Sequence, residues 1–352
     1  MGVSITGIGS YIPSGVATNE NFGQHHFYTD EGTRFPHEND VIIEKFKAIT
    51  GIAERRYIKD ELNTSDIAFF AAEKAIEDAK IDKESLDYII VAHNYGDVRH
   101  GSAQSDTVPS IASRVKHMLK IKNPSCVGYD IMFGCPGWIE GMIQANAFIR
   151  AGIAKKCLVI GAESLSRVVD QHDRDSMIYS DGAGAAIVVE TEGEAGILNH
   201  TSATYTLDEA HFIYFGESNN QELTDRRRYI KMYGRKIYNF ALTNVPDAMK
   251  KCLDDSGHTI EDVKKIFIHQ ANEKMDEAIV KRFYKLYNAT PPEDVMPMSI
   301  DKLGNSSVAT VPTLYELVYN EKLDDHKVHE GDLVIFASVG AGMNINAIVY
   351  RV

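Results

Sequence analysis

Three residues that could together carry out nucleophilic catalysis by a thiol occupy similar positions in the chain. Cys135 lies in MFGCPGW (132–138), His269 in KKIFIHQAN (264–272) and Asn305 in KLGNSSVATVP (302–312). Each follows a strand-like or glycine-containing segment and precedes a predicted helix. A cysteine thiolate is a nucleophile, and it needs an assisting group such as histidine close by. Each motif alone is weak, but the three together predict one site.

The local pattern around Cys135 predicts a reactive thiol. CVGYDIMF reads as a buried strand and PGWIEGMIQANAFIRAG as a helix whose first residue is Pro136. Cys135 is therefore predicted at the helix N-cap, where free N–H groups and the helix dipole favour a thiolate and lower its pKa. Gly134 permits a sharp turn, and Gly137 leaves room for a substrate. From these residues alone an inert core cysteine is an equally good interpretation.

Short apolar strands alternate with helical patterns, which predicts an α/β fold with helices on both faces of a sheet. The predicted strands cover residues 3–8, 87–93, 125–131, 157–162, 184–190, 264–269, 332–338 and 344–350. The predicted helices cover residues 64–79, 107–120, 136–151, 233–255, 273–287 and 306–320. Residues 23–41 are polar and unpatterned, and they are predicted to form a surface insertion.

A weak internal repeat predicts two similar halves. CLVIGAES at residue 157 resembles DLVIFASV at 332, and DGAGAAIVVE at 181 resembles VGAGMNINAIVY at 339. We therefore expect an N-terminal half over 1–175, a connecting and pocket segment over 176–224 and a C-terminal half over 225–352. Sites in such folds tend to form where the halves meet.

Composition excludes several classes of protein. The formal net charge of −13 argues against nucleic-acid binding, which needs a basic face. No apolar run approaches the ~20 residues of a membrane-spanning helix, and the first residues lack the pattern of a signal peptide. The four cysteines show no CxxC pair, and the other three, Cys126, Cys157 and Cys252, lie inside strand or helix patterns. We expect a cytoplasmic protein.

Two other site classes fit poorly. The GxG segments near residues 7, 182 and 340 do not complete GxGxxG at the start of a helix, so a dinucleotide site is not favoured. His269 follows Cys135 by 134 residues (269 minus 135), a spacing compatible with a papain-like protease. That family's CG[SA]C[WY] signature is missing, however, and a full α/β half precedes the cysteine.

The chain resembles β-ketoacyl-acyl-carrier-protein synthase III, a family of thiolase-fold condensing enzymes, almost from end to end. The motifs that carry the resemblance are TGIGSYIPSGVATNENF, TGIAERRYI, GCPGW, DRDSMIYSDGAGAAIVV, HQAN and GNSSVATVP, in family order. The resemblance implies a thiolase-like fold, with two similar halves in a five-layered α-β-α-β-α sandwich. It also implies a homodimer.

The resemblance assigns roles to the three site residues. Cys135 would be acylated by an acyl thioester, with its own N–H and that of Ala341 holding the oxyanion. His269 and Asn305 would then stabilise the enolate formed from a malonyl thioester. No metal or redox cofactor is implied, because the substrates are coenzyme A or acyl-carrier-protein thioesters.

The resemblance also implies substrate and partner contacts. Arg174 would bind coenzyme A, and the residues expected to line or flank the acyl pocket are Phe133, Trp138, Val108 and Met343. An acidic acyl carrier protein would bind a basic patch formed by Lys274, Lys281 and Arg282. A second basic cluster contains Arg226, Arg227, Arg228, Arg235 and Lys236.

The sequence departs from the family where W-x-x-x-R normally precedes TGI, because Lys45 and Ile49 stand there. Two interpretations therefore stay open. One is the condensation that initiates fatty-acid synthesis. The other is a specialised homologue that condenses other acyl or β-ketoacyl thioesters in secondary lipid, resorcinol or polyketide synthesis. A non-condensing acyl transferase or a carrier-binding protein is a third, more distant interpretation.

Overall fold

Thirteen strands and eight α-helices form within residues 2–224, 227–323 and 326–352, which the computed structural model describes. The strands are β1 (Gly2–Tyr11), β2 (Gly15–Thr18), β3 (Glu54–Tyr57), β4 (Tyr88–His93), β5 (Val127–Met132), β6 (Lys156–Ser164), β7 (Asp181–Thr191), β8 (Gly196–Thr204), β9 (Ile213–Gly216), β10 (Tyr229–Met232), β11 (Val263–Ile268), β12 (Leu333–Gly340) and β13 (Asn344–Arg351). The helices are α1 (Asn39–Thr50), α2 (Thr64–Ala79), α3 (Ile111–Met118), α4 (Gly137–Arg150), α5 (Gly234–Ser256), α6 (Glu273–Lys285), α7 (Ile300–Leu303) and α8 (Thr310–Tyr319).

Two mixed sheets carry most of the strands. The first has the order β1-β7-β6-β4-β5, and the second has the order β11-β12-β13-β8. In each sheet a parallel pair is followed by an antiparallel strand: β4 and β6 lead to β7, and β11 and β12 lead to β13. The strands that the internal repeat relates, β6 with β12 and β7 with β13, thus hold equivalent places, which confirms the predicted pair of similar halves.

Helices cover both faces of both sheets, so the fold has five layers. Between the sheets lies a core to which α4 and α8 contribute, with Trp138, Tyr315 and Phe336 among its members. On the outer face of the first sheet, α2 and α3 enclose a second core, and on the outer face of the second sheet α5 and α6 enclose a third. Burial of each large apolar side chain stabilises the fold by about 1.5–3 kcal/mol. The predicted five-layered thiolase-like fold is confirmed.

All eight predicted strands and six predicted helices are present, with shifts at their ends. Helix α3 begins at Ile111 rather than at residue 107, because Pro109 disfavours helical backbone at the residue before it. The predicted helix over 306–320 begins as a 3-10 turn, and α8 itself starts at Thr310. The short strands β2, β3, β9 and β10, together with β8, α1 and α7, had no predicted counterpart.

The predicted connecting segment is divided between the two sheets. Strand β7 lies after the expected boundary at residue 175, yet it pairs with β1 and β6 of the first sheet. Strand β8 pairs with β13 of the second sheet. The halves therefore separate between residues 191 and 196, because strand pairing, and not the loop composition, decides which sheet a segment joins.

Residues 23–41 lie largely on the surface, as their polarity predicts, but they are anchored by one buried side chain. Phe27 is buried, and it packs in a small core with Phe22, Ile42 and Phe46. A bridge between Tyr28 and Arg34 closes the loop above that core. A few apolar anchors are enough to fix an otherwise polar segment, which then forms one wall of the site. Across the described ranges 2–224, 227–323 and 326–352, no helix has the length and apolar character to span a membrane.

Candidate active site

A cavity of ≈ 1290 Å³ lies where the two halves meet, and Cys135, His269 and Asn305 all line it. Cys135 follows β5 and His269 follows β11, so both project from carboxyl ends of strands. Asn305 lies between α7 and α8. The three residues that the sequence singles out are therefore brought to one site from three separate chain segments.

The turn around Cys135 is tightly packed against the loop that follows β12. Gly134 adopts φ +70°, a left-handed conformation that glycine tolerates best. A β-carbon on Gly134 would stand 2.7 Å from the Ala341 nitrogen, and one on Gly340 would collide with the Cys135 nitrogen. The backbones that carry the two predicted oxyanion donors, Cys135 and Ala341, are therefore in direct contact.

Cys135 lies one residue before the helix N-cap and not at it, because Pro136 is the N-cap and α4 begins at Gly137. The predicted acidic thiol is also wrong. Burial raises the pKa of Cys135 to about 11; a hydrogen bond from Ser307 opposes the rise, and the negative charge of Glu163 adds to it. The sulfur reaches the cavity, but the cavity lies deep in the protein, and desolvation there is the largest influence on the pKa of the thiol.

His269 is held as a neutral imidazole. Its backbone N–H donates to the Ala337 carbonyl at 2.9 Å, and only 4% of the residue is exposed. Burial lowers the pKa of His269 to about 4. Nδ1 is buried without a hydrogen-bond partner among the described residues, which leaves Nε2 as the nitrogen available to a molecule in the cavity.

Asn305 is fixed along its backbone and at its side-chain oxygen. Its N–H donates to the Ile178 carbonyl at 3.0 Å, and its carbonyl accepts from the Ser180 N–H at 2.8 Å. Oδ1 accepts a hydrogen bond from the Ser307 N–H at 2.8 Å. Because the oxygen is occupied, the Nδ2 amino group is the part of the amide that can donate into the cavity.

Of the residues predicted to contact substrate, Arg174 lines the cavity and the four predicted pocket residues do not. Arg174 lines the cavity, with its guanidinium carbon 5.2 Å from the centre of the Phe35 ring. Trp138 and Met343 are fully buried in the cores on either side of the second sheet, where their apolar surface packs against neighbours, and neither lines the cavity. Val108 is 84% exposed on the surface, and Phe133 also lies outside the cavity wall.

Sequence reasoning missed a group of polar residues beside the sulfur. Ser307 Oγ donates to Cys135 Sγ at 3.3 Å, and Asn94 Nδ2 donates to Ser307 Oγ at 3.1 Å. Asn94 also donates to the buried carboxylate of Glu163. One signal was available: Asn94 and Glu163 are polar residues at the carboxyl ends of two otherwise apolar strands, β4 and β6.

Basic residues lie on the surface near the cavity. Lys274, Lys281 and Arg282 are exposed on α6, whose first turn contributes Met275 to the cavity wall. Of the second cluster, Arg235 and Lys236 line the mouth, whereas Arg227 and Arg228 are exposed outside it. Arg226 lies outside the described residues.

Comparisons with known proteins agree with this geometry. Family models for 3-oxoacyl-[acyl-carrier-protein] synthase III match residues 129–206, and those for its C-terminal domain match residues 253–352. The beta-ketoacyl-[acyl-carrier-protein] synthase III 1 of Bacillus cereus is 31% identical over 352 residues, covering 100% of this chain and 99% of the relative. The synthase III of Geobacillus kaustophilus is 32% identical with the same coverage. The crystal structure of 3-oxoacyl-[acyl-carrier-protein] synthase III from Aquifex aeolicus superposes with a TM-score of 0.81, at 29% identity and with 100% of both chains covered.

Proposed function

The chain belongs to the 3-oxoacyl- (β-ketoacyl-) acyl-carrier-protein synthase III family, and we propose on this premise that it catalyses a decarboxylative Claisen condensation. An acyl thioester would acylate Cys135, and malonyl-acyl-carrier protein would then extend the acyl group to a β-ketoacyl thioester, as in the initiation of fatty-acid synthesis. The observation that carries the proposal is the single cavity lined by Cys135, His269 and Asn305.

In the first half-reaction the Cys135 sulfur attacks the thioester carbonyl. The tetrahedral oxyanion is held by the backbone N–H groups of Cys135 and Ala341, and one such donor is worth about 3–4 kcal/mol. The carbon–sulfur bond to the incoming carrier then breaks, and the departing thiolate takes up the proton that Cys135 has lost. The products are acyl-Cys135 and a free carrier thiol.

In the second half-reaction the carbon–carbon bond to the malonyl carboxylate breaks, and its electron pair forms an enolate. His269 Nε2 and Asn305 Nδ2 donate hydrogen bonds to the enolate oxygen. A neutral imidazole suits this task, since it donates without adding a charge. The enolate carbon then attacks the acyl carbonyl and the bond to Cys135 breaks. The released Cys135 thiolate takes up one proton from water, and CO₂ and the β-ketoacyl thioester leave. These steps need no metal or redox cofactor.

The surface supports an acidic carrier as partner. Lys274, Lys281 and Arg282 present positive charge on α6, next to the cavity, and complementary charge speeds the encounter of such partners. The overall charge of −13 means that an acidic partner needs such a local patch.

We further propose a homodimer built on the first sheet. Strand β5 is an edge strand of that sheet, and its two ends expose apolar side chains, with Val127 45% and Met132 72% exposed. Val108 is a third exposed apolar residue, at 84%. An open strand edge flanked by apolar side chains is a template for pairing with a second copy. A cytoplasmic location stays a prediction from the sequence.

One observation favours the specialised homologue as a second candidate. Residues 28–37 enter the cavity wall, and Phe35 lies against Arg174, while Lys45 and Ile49 line the cavity where the family pattern has Trp and Arg. The substrate end of the cavity is therefore built from different side chains, which suits an acyl donor other than the one used in fatty-acid initiation.

Intact-mass measurement of Cys135 tests the proposal directly. The protein would be incubated with acetyl-CoA, longer acyl-CoA and acyl-carrier-protein thioesters, with Cys135→Ala as the control, and CO₂ release from malonyl-acyl-carrier protein would follow. We expect acylation in the wild type and not in the variant, followed by CO₂ release. Exclusive labelling by acetyl-CoA would exclude the specialised homologue, and no labelling by any thioester would exclude condensation altogether.

A further inference from the structure

Ser307 contacts both parts of the catalytic machinery. Its Oγ donates to the Cys135 sulfur at 3.3 Å, and its backbone N–H donates to Asn305 Oδ1 at 2.8 Å. We propose that Ser307 is a positioning residue that fixes the Cys135 sulfur and the Asn305 amide relative to each other. Asn94 and Glu163 orient the Ser307 hydroxyl proton toward the sulfur. The inference rests on the proposed function, because it assumes that Cys135 is the nucleophile.

The direction of the hydroxyl proton follows from the hydrogen bonds behind it. The Glu163 carboxylate is buried, and its Oε2 accepts from the Asn94 backbone N–H at 2.8 Å and from Asn94 Nδ2. This carboxylate fixes the orientation of the Asn94 side-chain amide by binding one N–H of Nδ2. The second N–H of Nδ2 then points at Ser307 Oγ, 3.1 Å away. Ser307 Oγ thus accepts from Asn94 and donates its one proton to the sulfur.

The backbone of Ser307 is unusual in a way that fits this role. Its φ is +53°, in the left-handed region that a non-glycine residue rarely occupies, and the residue is 3% exposed. Such a conformation is strained, and it persists only where the surroundings over-determine it. Here it is the conformation in which one residue makes both contacts, with the hydroxyl on Cys135 and the N–H on Asn305.

A hydroxyl that donates to a thiolate stabilises the charged form more than the neutral thiol. Because burial raises the pKa of Cys135, each donor to the sulfur has a measurable effect on how much thiolate is present. The ionisable groups near the sulfur include Glu163, Tyr95, Tyr179 and His269. Removing the Ser307 hydroxyl alters none of them directly, so a change in thiol reactivity can be attributed to the lost donor.

The test is the rate of Cys135 alkylation by iodoacetamide between pH 7 and 10, followed by intact mass. Ser307→Gly is the variant, since glycine tolerates the left-handed backbone. Ser306→Ala is the matched control, since the Ser306 hydroxyl faces Thr310 at 3.4 Å and not the sulfur. Hydrogen bonds to charged groups are worth about 1.5–3 kcal/mol, so at a fixed pH alkylation should fall at least about tenfold in Ser307→Gly and stay unchanged in Ser306→Ala.

A double-mutant cycle separates positioning from general disruption of the site. If Asn94 acts through Ser307, Asn94→Ala should slow alkylation in the wild type and have little further effect in Ser307→Gly. Unchanged alkylation in Ser307→Gly, an equal loss in Ser306→Ala, or additive effects of the two changes would each overturn the inference. Acylation of the wild-type protein by a thioester is scored separately, so failure of the proposed function is distinguishable from failure of this role for Ser307.

Discussion

Replacing His269 by alanine is expected to separate the two half-reactions. His269 lines the cavity through a neutral imidazole whose Nδ1 is buried, and we assign Nε2 as a donor to the enolate and not to the acylation step. Acylation of Cys135 should therefore continue in His269→Ala. Condensation should slow strongly but not stop, because one of the two donors to the enolate oxygen is lost.

The magnitude follows from the value of one preorganised donor. Removing such a donor costs about 3–4 kcal/mol, or about 10²–10³ in kcat. Asn305 Nδ2 remains in place, held through Oδ1 by Ser307, so a residual rate should persist. Nδ1 of His269 has no partner among the described residues, and its removal therefore breaks no hydrogen bond there. The variant should stay folded, with a loss of about 1–2 kcal/mol for the void.

Two assays on the same preparations make the test. Intact mass after incubation with an acyl thioester reports acylation, and CO₂ release from malonyl-acyl-carrier protein reports decarboxylation. His200→Ala is the matched control, because His200 is exposed on β8 and does not line the cavity. Simultaneous loss of acylation and CO₂ release in His269→Ala, with the fold intact, would refute the role assigned to His269.

The same residue gives a pH dependence with a definite sign. Burial lowers the pKa of His269 to about 4, so the imidazole stays neutral well below the usual value near 6.5. The condensation step of pre-acylated protein should therefore show no decline centred near pH 6.5 that depends on His269. A decline at that pH in the wild type that His269→Ala removes would mean that the imidazole titrates normally.

Three further outcomes are expected. Gly134→Ala should slow acylation and lower the unfolding temperature, because the residue has φ +70° and its new methyl group would lie 2.7 Å from the Ala341 nitrogen. Gly152→Ala is the control for backbone strain alone, since Gly152 has φ +72° and open space around it. Equal acylation rates in the two variants would contradict the packing argument. Charge reversal at Lys274, Lys281 and Arg282 should raise KM for the carrier protein and leave kcat unchanged. The same changes should leave KM for a short pantetheine thioester unchanged. An equal effect on both substrates would mean that these three residues do not form the carrier-binding patch. Met132→Lys should shift the protein from dimer to monomer in analytical ultracentrifugation, because a charge would lie at the exposed end of β5; an unchanged dimer, or a wild type that is already monomeric, would contradict the proposed interface.

The sequence by itself determined the order of the elements and the positions of the three site residues. Apolar periodicity located the long strands and helices, since a period near two or near 3.6 is imposed by the local backbone geometry. The strand-to-helix corners at Cys135 and His269 could be predicted for the same reason. The repeat of CLVIGAES and DLVIFASV predicted two halves. The short strands and the buried part of residues 23–41 could not be predicted from the sequence, because a few apolar side chains in a polar segment give no periodic pattern.

Only the tertiary structure decided the electrostatics of the site. From the local corner Cys135 reads as an acidic thiol, yet burial in a cavity between two halves raises its pKa, because desolvation depends on atoms far away in the chain. The same holds for Ser307, which donates to the sulfur from 172 residues away (307 minus 135), and for Glu163, whose charge acts on the sulfur from 28 residues away (163 minus 135). Trp138 and Met343 face cores instead of substrate for the same reason: side-chain environment is set by long-range packing, which no local pattern encodes.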